Sequence, residues 1–344
     1  MRLVRKLLLG LIGVVALLAG VGLLLPRQAH CERATTIDAP PVVVFTVVNG
    51  FKSFNRWSPW NELDPDAKYT WEGPDSGVGA KLSWVGDPSK VGSGSQAIVE
   101  SQPLERVKTR LDFGPQGQAT ATFRLAPAGG GTQVTWAFDT DLGWNPVSRY
   151  FGLLLDRFVG KDFERGLANL KRHAESLPKV DFADLKVEAV DVEAQTVAFV
   201  AGTSSKDDPA IAAAIEAAYA QVGKFLSGRK LKPSGPPFTI NTRWDQAGYG
   251  FDAAIPIAAV PQPPVGEESP VQVKRTYAGR ALKVVHVGAL RELPGLFDKL
   301  HAFTAAHAYE PAGPSWDVCL GDPRTTPEAQ LVTHVFQPIR AEVD

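Results

Sequence analysis

The side chains best equipped for chemistry stand near the end of the chain, in Gly313-Pro314-Ser315-Trp316-Asp317-Val318-Cys319-Leu320-Gly321-Asp322-Pro323. If this segment is extended, Trp316, Val318 and Leu320 share one face and Asp317 and Cys319 share the other. A carboxylate withdrawn from water is costly unless a cation or hydrogen bonds meet it. Ringed by Trp244, Tyr249, Phe251 or Tyr277, Asp317 would hold a cation by charge and by ring faces. Phe238 and Trp316 complete the ligand-binding set expected in this half of the chain. Any catalysis would fall to Asp317 as well. The bland alternative is an exposed acid at a strand edge.

A second group of rings lies earlier: Trp57, Trp60, Trp84, Phe113 and Trp136. Large rings on strand-like stretches line either a core or a ligand pocket, and both readings stay open. An enzyme here would need inward-facing acid–base groups. Asp139 and Asp141 fall at a strand end, Arg106 and Lys108 on or near the wet face, and no histidine is present in the strands. Binding is therefore favoured over chemistry. His301 and His307 fall on different faces of a helix, so no metal pair is expected, and no cofactor is expected either. Cys31 and Cys319 are the two cysteines, far apart, which excludes a disulfide framework. The formal net charge is −1 with scattered basic residues, so no stripe exists to neutralise phosphates and no nucleic-acid partner is expected.

Positioning these residues takes three parts. Leu7–Leu25 is an uncharged apolar run, long enough for the about twenty helical residues a bilayer requires. Arg2, Arg5 and Lys6 precede it and Pro26-Arg27 closes it; no small-x-small cleavage site follows. The expectation is an uncleaved single-pass anchor (residues 1–28) with a cytoplasmic amino end and extracytoplasmic domains. Residues 32–177 then read as a sheet packed on helices. Glu32–Ile37 is a strand, Asp38 or a neighbour caps a helix over Val42–Val48, and an irregular stretch holds Phe51, Phe54, Trp57 and Trp60. Residues 107–113, 120–125 and 133–139 alternate with period two, one face wet and one buried. Asn145 and Pro146 open a single long amphipathic helix that runs to Leu177.

Residues 181–340 contain an internal repeat, about 181–260 and 271–340, joined by Pro261–Pro270. Thr196–Gly202 matches Leu282–Gly288, Lys232–Phe238 matches Glu310–Trp316, and Ile255-Pro256-Ile257 matches Gln337-Pro338-Ile339. Two strand-helix-strand-strand units imply a pseudo-twofold sheet with both helices on one face and a groove at the axis. Thr239 occupies in the first repeat the place of Asp317 in the second. The fold class is α+β: an N-terminal transmembrane helix, a helix-grip antiparallel sheet, then a duplicated βαββ domain.

The segments Thr36-Ile37-Asp38-Ala39-Pro40-Pro41, Phe54–Trp60 and Gly130–Trp136 make the first domain resemble the START-like, or SRPBCC, polyketide cyclase/dehydrase proteins. That resemblance implies a cavity between sheet and long helix for apolar molecules. The Gly313–Pro323 segment makes the second domain resemble the GyrI-like effector-binding family. It implies an aromatic cleft with a central acid for cationic, lipophilic molecules, and in some relatives hydrolysis of strained electrophiles. Members usually carry Glu where Asp317 stands and often Tyr where Cys319 stands, and both departures count against hydrolysis. The expected function is membrane-anchored capture of hydrophobic or cationic small molecules. A hydrolase using Asp317 and a protein-binding adaptor, its protein partner unknown, are the alternatives.

Overall fold

The computed structural model describes residues 2–261, 265–266 and 269–340, so part of the expected 261–270 linker lies outside the described residues. The chain is α+β, and every strand ladder is antiparallel. It divides into two compact units, Met1–Asp181 with Ala305–Ala308 and Phe182–Thr304 with Tyr309–Asp344.

The first unit opens with α1 (Arg2–Leu24), among the described residues the one helix long and apolar enough to cross a membrane. Strand β1 (Gln28–Ile37) follows and begins earlier than expected, because all of Gln28–Ile37 pairs with β7 (Gly131–Asp141). Between them come α2 (Pro41–Val48), α3 (Phe54–Trp57), α4 (Pro59–Leu63) and the meander β2 (Lys68–Glu72), β3 (Lys81–Val85), β4 (Ser93–Gln102), β5 (Arg106–Asp112) and β6 (Gln118–Ala128). The sheet runs β1-β7-β6-β5-β4-β3-β2. Asp38 does not cap α2; Pro40 occupies that place without a side-chain bond, and Asp38 pairs with Lys179 instead.

The long helix expected from Asn145 to Leu177 is two helices, α5 (Pro146–Gly152) and α6 (Leu155–Ser176). Asn145 does cap the first, accepting from the Val147 amide at 3.0 Å. The break follows Gly152, where a Cβ would come within 2.4 Å of the Leu142 side chain. There the hydrogen bonds tighten to the three-residue pattern, Leu153 N–H to Tyr150 C=O at 3.2 Å and Leu154 N–H to Phe151 C=O at 2.9 Å. Past the break, α6 returns to the sheet and buries Phe163, Leu167, Leu170 and Ala174 against it.

The second unit holds one eight-stranded sheet. Its elements are β8 (Glu188–Val192), β9 (Thr196–Ser204), α7 (Asp208–Gly228), β10 (Phe238–Asp245), β11 (Gly248–Pro256), β12 (Gln272–Arg275), β13 (Gly279–Val287), α8 (Leu293–Ala306), β14 (Trp316–Cys319) and β15 (Val332–Pro338). The order β12-β9-β11-β10-β14-β15-β13-β8 is symmetric about the β10–β14 junction. The strand leading each repeat crosses over: β8 pairs with β13 of the second repeat, and β12 with β9 of the first. Each half is therefore completed by the other. Local geometry repeats as well. Lys230 and Ala308 take positive φ, +54° and +58°, after α7 and α8, and Pro233 and Pro311 bridge Ile257 and Ile339.

Candidate functional site

The pseudo-twofold axis runs between two single residues. Strands β10 and β14 pair with Thr239 directly opposite Asp317, flanked by Phe238 opposite Val318 and Ile240 opposite Trp316. Phe238 and Ile240 pack with Val197, Ala254 and Trp316 in one apolar cluster. Ala253, Phe251 and Tyr249 belong to another, with Ala218, Val222 and Leu226 of α7. Neighbouring residues on a strand point to opposite faces, so Asp317 and Thr239 lie on the helix-bearing side.

One polar side chain bonds Asp317 there, and three more form the surrounding network. Asn241, two residues beyond Thr239 and so on the same face, donates from Nδ2 to Asp317 Oδ1 at 3.4 Å. Tyr249 in turn donates its hydroxyl to Asn241 Oδ1 at 2.6 Å, which fixes the amide orientation. The Tyr219 hydroxyl, from α7, lies 3.1 Å from Thr239 Oγ1. Asp317 keeps some accessible surface, yet its carboxyl is crowded enough that desolvation pushes its pKa up to about 7, opposed by the Asn241 hydrogen bond. The Tyr219 and Tyr249 phenols are pushed up as well, first by burial and further by the Asp317 charge. Among the described residues no lysine, arginine or histidine forms an ion pair with Asp317. A carboxyl of this kind can accept a cationic guest or exchange a proton near neutrality.

The expected aromatic ring around Asp317 is only partly assembled. Tyr249 is in place, and Trp244 packs edge-on against it at 5.5 Å, half exposed with Lys206 Nζ 4.8 Å from its ring. Phe251 stacks behind Tyr249 at 5.3 Å. Trp316, Phe238 and Tyr277 do not join them. Trp316 stacks on Phe336 at 4.9 Å and approaches Tyr277 at 6.4 Å on the helix-free face, and Tyr277 donates its hydroxyl to Ile339 C=O at 2.9 Å. Strand alternation separates them from the acid. Tyr219, Thr239 and Asn241 take the places expected for rings. Thr239 stood out in the repeat; Asn241 and Tyr219 were missed, although the two-residue spacing of Asn241 from Thr239 puts those two on one strand face.

In the first unit, several of the rings expected to line a cavity pack on one another. Trp136 stacks on Phe163 at 3.9 Å and on Phe123 at 4.9 Å, and Trp57 and Trp60 meet it edge-on, each at 5.7 Å. Trp57 is 2% exposed and Trp136 3%, so here they are core residues rather than lining. Gly166 of α6 allows the fit, since a Cβ there would approach Trp136 to 2.7 Å. Trp84 and Phe113 form a separate edge-on pair at 6.0 Å, with Trp84 Nε1 donating to Val91 C=O. Among the described residues no cluster of three His, Cys, Asp or Glu side chains could hold a metal ion.

Residues 28–175 match the family model described as polyketide cyclase / dehydrase and lipid transport, and residues 185–340 match the GyrI-like small molecule binding domain. The chain joins a polyketide cyclase-type domain to a GyrI-like domain. Solved structures match parts of the chain at low identity. A Chromobacterium violaceum protein has 18% identity, with 43% of this chain and 97% of that chain covered and a TM-score of 0.31. A hydrolase from Listeria innocua has 19% identity, with 45% and 92% covered and a TM-score of 0.32. The EcmrR C-terminal domain has 10% identity, with 45% and 98% covered and a TM-score of 0.40. No curated protein matches the chain. In the GyrI-like domain the acid at the repeat junction is thus Asp317, with Cys319 beside it donating its thiol to Gly321 C=O at 3.2 Å.

Proposed function

We propose that this protein is a membrane-anchored receptor for lipophilic cations, held at the junction of the GyrI-like repeats. Both matched families are of the small-molecule binding kind. The observation that carries the reading is Asp317: a crowded carboxyl at the pseudo-axis, with hydrogen-bonding neighbours but no cationic partner among the described residues. A guest that brings a positive charge and apolar surface would compensate the carboxylate and cover Tyr249 and Trp244. The polyketide cyclase-type domain, with its rings packed on one another, is the weaker candidate for the cation.

Retention of the apolar helix as an anchor is supported by its integration into the first unit. Arg149 donates from one guanidinium nitrogen to Leu23 C=O at 2.6 Å and Leu25 C=O at 3.1 Å, satisfying carbonyls at the end of α1. Arg2, Arg5 and Lys6 favour a cytoplasmic amino end. A periplasmic-type reporter fused after Asp344 should be active; activity of a cytoplasmic reporter there would reverse the orientation.

The test of the cation site is dye displacement by lipophilic cations on the full chain in mild detergent. Asp317→Asn should weaken binding at least tenfold, and wild-type affinity should fall about tenfold per pH unit below about 7 as the carboxyl takes up its proton. Unchanged affinity in Asp317→Asn would remove the site. A second reading, hydrolysis of a strained electrophile, is favoured by the same near-neutral acid. Turnover of an epoxide or activated ester, abolished in Asp317→Asn, would establish it in place of simple capture.

A further inference from the structure

Helix α5 is built against the apolar helix at the depth of that helix's last two turns. The Tyr150 hydroxyl donates to the Leu18 carbonyl at 2.8 Å. At 1.5 Å per residue, that carbonyl lies about 9 Å inside the C-terminal end of α1. Gly22 makes the approach possible, since a Cβ there would come within 2.7 Å of Pro146 and 2.9 Å of Tyr150. Arg149 fastens the other end of the contact, donating to Gly143 C=O as well as to the α1 carbonyls.

The outward side of the same segment is apolar. Val147, Phe151, Leu153 and Phe158 are each at least 60% exposed, and Leu154 is 43% exposed. In water such a contiguous group is unusual. Just before it in the chain, Trp144 is 74% exposed and flanked by the guanidinium groups of Arg27 at 5.8 Å and Arg149 at 5.4 Å. Arg157 and Lys161 are exposed farther along. An exposed tryptophan and basic side chains bordering an apolar segment are the residue types of a headgroup region next to hydrocarbon.

We propose that the α5–α6 turn is a second membrane-inserting element, in which Val147, Phe151, Leu153, Leu154 and Phe158 enter the acyl region beside α1 while Trp144, Arg27 and Arg157 lie among the headgroups. The occupant is the lipid bilayer, because the patch is continuous with the flank of a helix long enough to span it. The inference rests on the anchor reading. It adds that the polyketide cyclase-type domain lies directly on the membrane, with no spacer between them.

The test uses the full chain with Cys319→Ser, reconstituted in nanodiscs of neutral and anionic phospholipid. Cys31 can stay: it is 2% exposed, and burial pushes its thiol up to about 11, which slows labelling. Spin labels are placed one at a time through Phe151→Cys, Phe158→Cys, Ile12→Cys within α1, and Ser176→Cys at the exposed far end of α6. The proposal expects oxygen to relax the labels at 151 and 158 several-fold more than a water-soluble nickel chelate, as at 12, with the reverse at 176. A bilayer-like signal at 12 with aqueous signals at 151 and 158 overturns the inference and leaves the anchor standing; a protein-docking face would give that pattern. An aqueous signal at 12 overturns the anchor and the inference together. Since 151 and 158 are exposed, labels there leave the fold intact, and unchanged thermal unfolding checks this.

Discussion

Asp317 carries an acid whose ordinary pKa is near 4 but which desolvation pushes up to about 7 in the folded chain. A group whose folded pKa is raised adds stability that is fully present below its unfolded pKa and is lost as pH rises through the folded value. The window is therefore about pH 4 to 7, and across it the folded state holds the proton more tightly than the unfolded chain. A shift of about three units corresponds to at most about 4 kcal/mol lost by the second unit above pH 7. Asp317→Asn has no such proton to lose. Urea unfolding at pH 4.5 and pH 8 should show the variant gaining on wild type at the higher pH; a constant difference would mean that the acid is better solvated than the geometry indicates. The acid was legible in the sequence because the repeat has Thr239 where Asp317 stands. The rings to accompany it were less so: residue types name candidates, and only strand alternation and the Asn241–Arg243 register shift decide which face they reach.

At the scale of elements, the first unit is held by rings stacked between sheet and α6. Phe163→Ala and Trp136→Ala should each cost about 3–5 kcal/mol, read as a lowered unfolding midpoint for that unit. A cost under about 1 kcal/mol would mean that the interior collapses onto the gap, or that it breathes enough to admit a guest. The period-two strands were readable because one wet and one buried face leave a plain alternation. The break at Leu153–Leu154 was not, because apolar spacing runs straight across it, and the close approach of Leu142 to Gly152 is a tertiary contact that spacing does not record. A residue on α1 decides how closely α5 can approach: Gly22→Leu should push Pro146 and Tyr150 away and expose the Arg149 contacts to water, measurable as faster amide exchange at Leu142–Leu154. Unchanged exchange there would mean that the contact is dispensable.

For the molecule as a whole, the decisive feature of the second unit is that neither repeat is self-sufficient. Cut away from the first, residues 271–340 would have no β9 for β12 to pair with and no β8 beside β13. Expressed alone, this segment should be unfolded as a monomer by circular dichroism, and a compact folded monomer would contradict the exchange. The repeat itself was legible from matching segments. The exchange was not, since sequence similarity records which strands correspond and carries nothing about which half each one joins.

That exchange also sets a timetable. As the polypeptide leaves the ribosome, β8 emerges long before β13, its partner, and α7, β10, β11 and β12 appear in between. Pairings between strands so far apart in sequence form late and slowly. β13 must therefore emerge before the edge strand that begins the second unit finds its place. If the apolar helix directs the chain across a membrane, the segment stays unpaired until β13 has followed it, which keeps it threadable and makes closure of the sheet a late event.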